Sequence, residues 1–141
     1  MNTYAKSSDS YLAQRILGTS PEQQAALLME AGQRYLGKAI LAMEHKAPAE
    51  ACRCLIRVSE IITEAFCRLD HDGGGPLVEN LIKTYDWWNK EIMAASNARD
   101  TARLGIVSNQ MGDIRQAWEQ CHEKKAHAAQ STEFLLEDRV V

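Results

Sequence analysis

The segment that most constrains the fold is a glycine turn between two stretches of helical periodicity. Gly73 to Gly75 can supply the left-handed residue that closes a helix, and Pro76 suits the first turn of the next helix. Beyond the turn, apolar residues recur at alternating spacings of three and four, which is one face of a helix: Val78, Leu81, Tyr85, Trp88, Ile92 and Ala95. Trp87 lies about 100° round that helix from Trp88. We therefore predict Trp88 in the core and Trp87 on an exposed flank.

The remaining helix starts are marked by capping residues and prolines. Ser20 and Gln23 form a capping box around Pro21, which predicts a first helix that runs from there to about residue 44. Pro48 marks the start of a second helix, and Asp100 is expected to cap a fourth. The third helix is predicted to begin at Pro76 and to end near residue 97, where Asn97 tolerates left-handed geometry.

Short connections between long helices favour antiparallel packing. Each predicted helix has roughly 22 to 25 residues, hence a length of about 33 to 37 Å. Nothing in the sequence reads as a strand, so the predicted fold is all-α: an antiparallel up-down four-helix bundle with a short N-terminal arm. We expect the arm at 1–19, the bundle at 20–125 and a C-terminal tail at 126–141, because the helical pattern fades from His127 onwards.

Composition excludes several classes of function. The 141 residues carry a net charge of -3, so the chain lacks the basic footprint of a nucleic-acid-binding protein. No apolar run approaches the ~18 residues of a membrane span, and the N-terminus lacks a signal peptide, so we expect a cytoplasmic protein without membrane insertion. The four cysteines are expected to be reduced and to act as small helix fillers: Cys52, Cys54, Cys67 and Cys121.

A catalytic centre is not indicated. A di-metal carboxylate bundle needs two Glu-x-x-His pairs and two further glutamates, whereas the chain has one such pair, Glu119 and His122, one step off the core face. Ser20 and Ser96 have no histidine partner at a recognisable spacing, although a spatial neighbour stays open. The sequence predicts no catalysis, no metal and no cofactor.

Apolar residues exceed what one inward stripe per helix requires. Eleven of them lie beside the main faces: Leu27, Met29, Leu36, Ile40, Ile56, Ile61, Phe66, Ile82, Trp87, Met93 and Ile106. Since globular helices bury a stripe of 100° or more, about two-thirds of these residues should widen the core. The others should line grooves that suit the apolar faces of partner helices.

Short motifs in a fixed order resemble the flagellar secretion chaperone family FliS over roughly residues 11–119. Tyr11 followed five residues later by Ile16 is similar to an N-terminal element of that family. Ser20-Pro21 and Arg34-Tyr35-Leu36 with Ala39 match the family's first long helix. Asn97 and the run from Arg115 to Glu119 match its fourth helix. The turn and third helix are matched by Gly74-Gly75, Asn80-Leu81 and Tyr85-Asp86.

The resemblance implies a helical bundle that binds the disordered C-terminal segment of flagellin, prevents its early polymerisation and aids its delivery to the flagellar export apparatus. The N-terminal arm would cover part of a groove and move aside for the client. Residues expected to contact the client are Tyr11, Ile16, Leu27, Ile56, Ile61, Asn80, Ile82 and Trp87. We expect the client to wrap round the bundle as several helical pieces. A helical adaptor for another client and a di-metal enzyme stay open as alternative functions. A weak homodimer through the same flanks also stays open.

Overall fold

Four helices arranged antiparallel form the part of the chain that the structure describes. The computed structural model describes Leu12 and residues 19–140, with side chains as far as Ser131. Helix α1 spans Pro21–Glu44, α2 spans Pro48–Cys67, α3 spans Gly75–Ala98 and α4 spans Thr101–Val140. Helices α1 and α3 each pack against both α2 and α4, so the four helices stand at the corners of a square. The predicted all-α bundle is confirmed.

The predicted helix boundaries are largely confirmed by the caps. The Ser20 hydroxyl accepts a hydrogen bond from the Gln23 amide, and the Gln23 side chain accepts one from the Ser20 amide, which completes the capping box. The Asp100 carboxylate accepts a hydrogen bond of 3.2 Å from the Arg103 amide at the start of α4. In the glycine turn the left-handed residue is Gly75, with a φ of 59°, but it begins α3, whereas α2 has already ended at Cys67 with Arg68 in right-handed geometry. These contacts are local, so a short stretch of sequence determines them.

The end of α3 differs from the prediction by two residues. Arg99, and not Asn97, takes the left-handed conformation after the helix, with a φ of 53°. The helix continues through Ala98 and closes with the Asp100 amide donating to the Ala95 oxygen at 2.8 Å and the Arg99 amide donating to the Ser96 oxygen at 3.2 Å.

The predicted length of 22 to 25 residues is wrong for α4, which has 40 residues. Ser20 at the start of α1 lies beside His122, so the rest of α4 extends about 27 Å past that point. Side chains from Glu123 to Ser131 are exposed, which explains why the apolar period fades there. Alanine, lysine and glutamate are strong helix formers, which favours continuation of the helix through this exposed stretch.

The core follows the predicted stripes. All six predicted inward residues of α3 are buried, and Trp88 is fully buried. The α4 stripe is buried at Leu104, Val107 and Met111, half-buried at Ile114 and Trp118, and exposed at Cys121. All four cysteines are free thiols, as predicted, but the prediction that they fill space in the core holds only for Cys54, because Cys52, Cys67 and Cys121 are exposed.

Candidate functional site

A groove runs between α2 and α3, which pack against each other least closely of the neighbouring helices. Its widest part is a cavity of about 390 Å³. Ile62 and Tyr85 are 1% and 2% exposed and form its floor, while Phe66 on the α2 wall is 39% exposed. Ile82 on the α3 wall is half-buried. We call this feature the α2/α3 groove. The register of the two helices determines which side chains lie along it.

The register of the α2/α3 groove is fixed by a polar pair. The Ser59 hydroxyl donates a hydrogen bond of 3.4 Å to the side-chain oxygen of Asn89. Because the helices are antiparallel, this pair places Ile56 near the level of Met93, on the side away from Phe66. Ile56 is 55% exposed and Met93 is 68% exposed. The groove therefore carries apolar side chains at both ends and a polar pair between them.

A second apolar surface straddles α3 and α4. Glu91 and Arg103 form an ion pair with an Nε–Oε1 distance of 2.6 Å, and this contact lowers the pKa of the Glu91 carboxyl. Trp87 lies one turn before Glu91, and Ile106 lies about one turn after Arg103, so the two apolar side chains stand at the same level. They are 43% and 51% exposed. We call this feature the α3/α4 surface, and exposed Asn80 lies on the same side of α3 two turns before Trp87.

The floor of the α2/α3 groove stays neutral over the physiological pH range. Burial raises the pKa of the Tyr85 phenol to about 12, and the Trp118 indole beside it has a smaller opposing effect. The Tyr85 ring also packs on Trp88, with ring centroids 5.3 Å apart. An uncharged aromatic floor favours apolar side chains over charged ones.

The structure separates the predicted client-binding residues into three groups. Ile82 lines the α2/α3 groove, Ile56 is exposed on α2 one turn before Ser59, and Asn80 and Trp87 lie on the α3/α4 surface. Leu27 is 9% exposed and Ile61 is 2% exposed, so a client could touch either one only at its edge or after a rearrangement. Tyr11 and Ile16 lie outside the described residues. Client binding by all eight stays a prediction.

The wider set of flanking apolar residues divides almost evenly. Leu27, Met29, Leu36 and Ile61 are buried, and Ile40 and Ile82 are half-buried. The five others are exposed, among them Phe66, Met93 and Ile106, which were not among the predicted client contacts. Periodicity identifies all three as flank residues. The helix register needed to place them in a groove is a tertiary property that periodicity does not contain.

A third cleft lies between the start of α1 and the middle of α4. It has a volume of about 430 Å³, and its lining includes Leu27, Glu30, Glu119 and His122. His122 Nδ1 lies 2.8 Å from the Ser20 hydroxyl, a spatial pairing that the sequence does not reveal. The Ser20 oxygen also accepts the Gln23 amide as a helix cap, so the contact joins α1 to α4. Lys125 donates to Glu22 one turn further along, and its hydrogen bond lowers the pKa of the Glu22 carboxyl.

Two further properties of the described residues bear on other functions. No group of three or more histidine, cysteine, aspartate or glutamate side chains in that part of the chain is arranged to hold a metal ion. Within the same residues, no helix combines the length and the hydropathy that crossing a bilayer requires.

An all-α bundle with an apolar groove between two of its helices has the architecture of helical protein-binding domains. The comparison with known families is specific. The family described as "Flagellar protein FliS" matches residues 3–125, and the chain belongs to that family. The resemblance drawn from the ordered motifs is thereby confirmed. The chain is also similar to the flagellar secretion chaperone FliSB of Pseudomonas aeruginosa, with 27% identity over 105 residues, which cover 74% of this chain and 83% of that protein.

Proposed function

We propose that this chain is a cytoplasmic flagellar secretion chaperone. Its client is the disordered C-terminal segment of flagellin, which it keeps from polymerising early and delivers to the flagellar export apparatus. Family membership and the name of the Pseudomonas aeruginosa relative support the flagellar and chaperone parts of this proposal. The choice of the flagellin C-terminal segment follows from the sequence resemblance.

The observation that carries the binding role is the pair of apolar tracts on either side of α3. The α2/α3 groove presents Phe66 and Ile82, and the α3/α4 surface presents Trp87 and Ile106. Clusters of large exposed apolar side chains on a monomer mark interaction sites. A client helix in each tract would enclose α3 between two client segments.

The energetics favour a client that occupies both tracts. Ordering about 40 client residues costs on the order of 40 to 80 kcal/mol of backbone entropy. At ~25 cal/mol per Å², offsetting that cost takes roughly 2,000 Å² or more of buried apolar surface. A single groove of helical width cannot supply such an area, so the client wraps round the bundle as several helical pieces.

Binding, and not catalysis, is the role that fits these features. The Ser20 hydroxyl beside His122 caps α1 by accepting the Gln23 amide with one of its two lone pairs. The pair therefore serves to hold α1 on α4, and the proposed chaperone needs no catalytic group.

The N-terminal arm would act as a lid over part of the client surface. Tyr11 and Ile16 are its proposed apolar anchors. Leu12, between them in sequence, is 8% exposed and belongs to the core cluster, which supports an arm held against the bundle. Deleting residues 1–18 should speed client association, and an unchanged association rate would count against a lid.

Titration calorimetry with a peptide from the C-terminal end of the cognate flagellin tests the proposal directly. Hydrogen exchange on the same complex locates the contacts, and we expect new protection along α2, α3 and α4. Protection confined to one small patch would refute the wrapped mode. Absence of binding to flagellin, with binding to another client, would establish the adaptor alternative.

A further inference from the structure

A separate cavity lies at the end of the bundle where the α1–α2 and α3–α4 turns meet. Its volume is about 620 Å³, within the range of ligand-binding pockets. Its lining comprises Met43, Glu44, Lys46, Ala47, Pro48, Ala51, Cys52, Ser96, Arg99 and Thr101. We call this feature the turn cavity.

The lining of the turn cavity favours an anion. Lys46 from one turn and Arg99 from the other give the lining two cations, against the single carboxylate of Glu44. The hydroxyls of Ser96 and Thr101 add two further donors. Met43, Pro48 and Ala51 supply an apolar wall beside these donors. A carboxylate attached to an apolar residue matches both parts of the lining.

The turn cavity lies in line with the α2/α3 groove, beyond the Ser59–Asn89 pair. The register set by Ser59 and Asn89 brings Cys52 of α2 to the level of Ser96 of α3, and both residues line the turn cavity. The distance along α2 from Phe66 to Cys52 is 14 residues, or about 21 Å. A client helix of four turns in the groove would therefore end over the turn cavity.

The two ends of the α2/α3 groove differ in charge. The Phe66 end carries three carboxylates, those of Asp70, Asp72 and Asp86, against two cations, Arg68 and Lys83. The opposite end carries Lys46 and Arg99. A helix has partial positive charge at its N-terminus and partial negative charge at its C-terminus, so a client helix is favoured with its C-terminus at the turn cavity.

We propose that the turn cavity binds the free C-terminal carboxylate of the client between Lys46 and Arg99, with the last client helix running along the α2/α3 groove from the Asp70 end. This inference rests on the proposed function, because the client is the flagellin C-terminal segment. In this contact the client carboxylate accepts charge-assisted hydrogen bonds from both cations, and the client's last side chain packs on the apolar wall.

The first test compares two forms of one peptide from the flagellin C-terminus by titration calorimetry: a free carboxylate and a C-terminal amide. We expect amidation to weaken binding roughly tenfold, the size typical of a lost hydrogen bond to a charged group near the surface. Equal affinities would overturn the carboxylate site while leaving client binding intact. If neither form binds, the proposed function fails, and this site fails with it.

The second test removes both cations without risk to folding. Lys46 and Arg99 have φ values of 56° and 53°, a region that glycine enters freely and other residues enter at a cost. The double variant K46G/R99G should therefore melt no lower than the wild type. It should bind the free-acid peptide as weakly as the amide.

A matched control is the double variant R34A/K38A, which removes the same net charge from exposed positions of α1 outside the turn cavity. We expect this variant to keep the preference for the free acid. Loss of that preference in the control as well would assign the effect to overall charge and overturn the site. A tenfold preference that persists in K46G/R99G would also overturn it.

Discussion

The indole nitrogen of Trp88 donates a hydrogen bond of 2.8 Å to the side-chain oxygen of Gln110, which joins α3 to α4 inside the bundle. Trp88 is fully buried, so the indole N–H has no access to bulk water in place of this partner. Gln110→Ala should lower the free energy of unfolding by about 1 to 3 kcal/mol, the cost of an unsatisfied buried donor.

Urea denaturation followed by far-UV circular dichroism measures that loss. Gln116→Ala is the matched control, because Gln116 is an exposed glutamine of the same helix. Its effect should stay within about 0.5 kcal/mol. Equal losses in the two variants would show that the Trp88 contact adds nothing beyond helix propensity.

Trp87 should matter for the client and not for the fold. It is 43% exposed on the α3/α4 surface, so Trp87→Ala removes a large apolar side chain without opening a core cavity. We expect a loss of about 1 to 3 kcal/mol in client binding, as for other exposed aromatic anchors of interfaces. The free energy of unfolding should change by less than about 0.5 kcal/mol.

The control for Trp87→Ala is Leu41→Ala. Leu41 is 55% exposed on α1, away from both client tracts, so the variant removes exposed apolar area of a comparable kind. Calorimetric titration of both variants with the flagellin peptide should show weaker binding for the tryptophan variant alone. Equal weakening would mean that the client recognises exposed apolar area anywhere on the bundle.

Local signals determined the parts of this structure that the sequence predicts well. Ser20, Pro48 and Asp100 mark helix starts because capping chemistry involves residues within one turn. The division between Trp87 and Trp88 follows from the helical period alone. These features depend on few residues, so neighbouring sequence suffices to find them.

Tertiary packing decided the features that the sequence could not settle. Ile56 and Ile61 both flank the main face of α2, yet Ile61 is buried because its side chain turns towards Gly32 of α1. Ile56 is 55% exposed instead, one turn before Ser59, which bonds across to α3. Likewise, the pairing of Ser20 with His122 spans 102 residues of sequence and has no local signal.

Tyr85 should make stability fall at alkaline pH. Burial raises its pKa to about 12 in the folded chain, above the value of 10.0 expected when unfolded. The unfolded chain therefore loses the phenolic proton first, and the stabilisation present below pH 10 is lost progressively as the pH rises towards 12. The total is roughly 2 to 3 kcal/mol for such a shift.

Urea midpoints measured between pH 8 and pH 12 test this, with Tyr85→Phe as the comparison. Phenylalanine keeps the ring that packs on Trp88 and removes the titrating group. Lysine titration affects both proteins alike, so the difference between their pH profiles isolates the phenol. Parallel profiles over this range would contradict a raised pKa.

Two glycines should respond to alanine with opposite signs. A Cβ at Gly74 would lie 1.8 Å from Val78 Cγ2 and 2.7 Å from the Asp70 carbonyl oxygen. Val78 is buried, and the carbonyl belongs to the backbone of the turn, so neither can move away freely. Gly74→Ala should cost about 1 to 3 kcal/mol of stability, as overpacking does. At Gly37, in the interior of α1, a Cβ would meet nothing within 4 Å.

Gly37→Ala should therefore stabilise the bundle by about 0.5 to 1 kcal/mol, because alanine gives up less backbone entropy than glycine in a helix. Urea unfolding of the two variants beside the wild type gives both signs in one experiment. A loss of stability at Gly37 would show that this exposed stretch of α1 tolerates no methyl group. An unchanged free energy of unfolding in Gly74→Ala would mean that the turn relaxes around Val78. Close contact would then not be the reason that the turn requires glycine at this position.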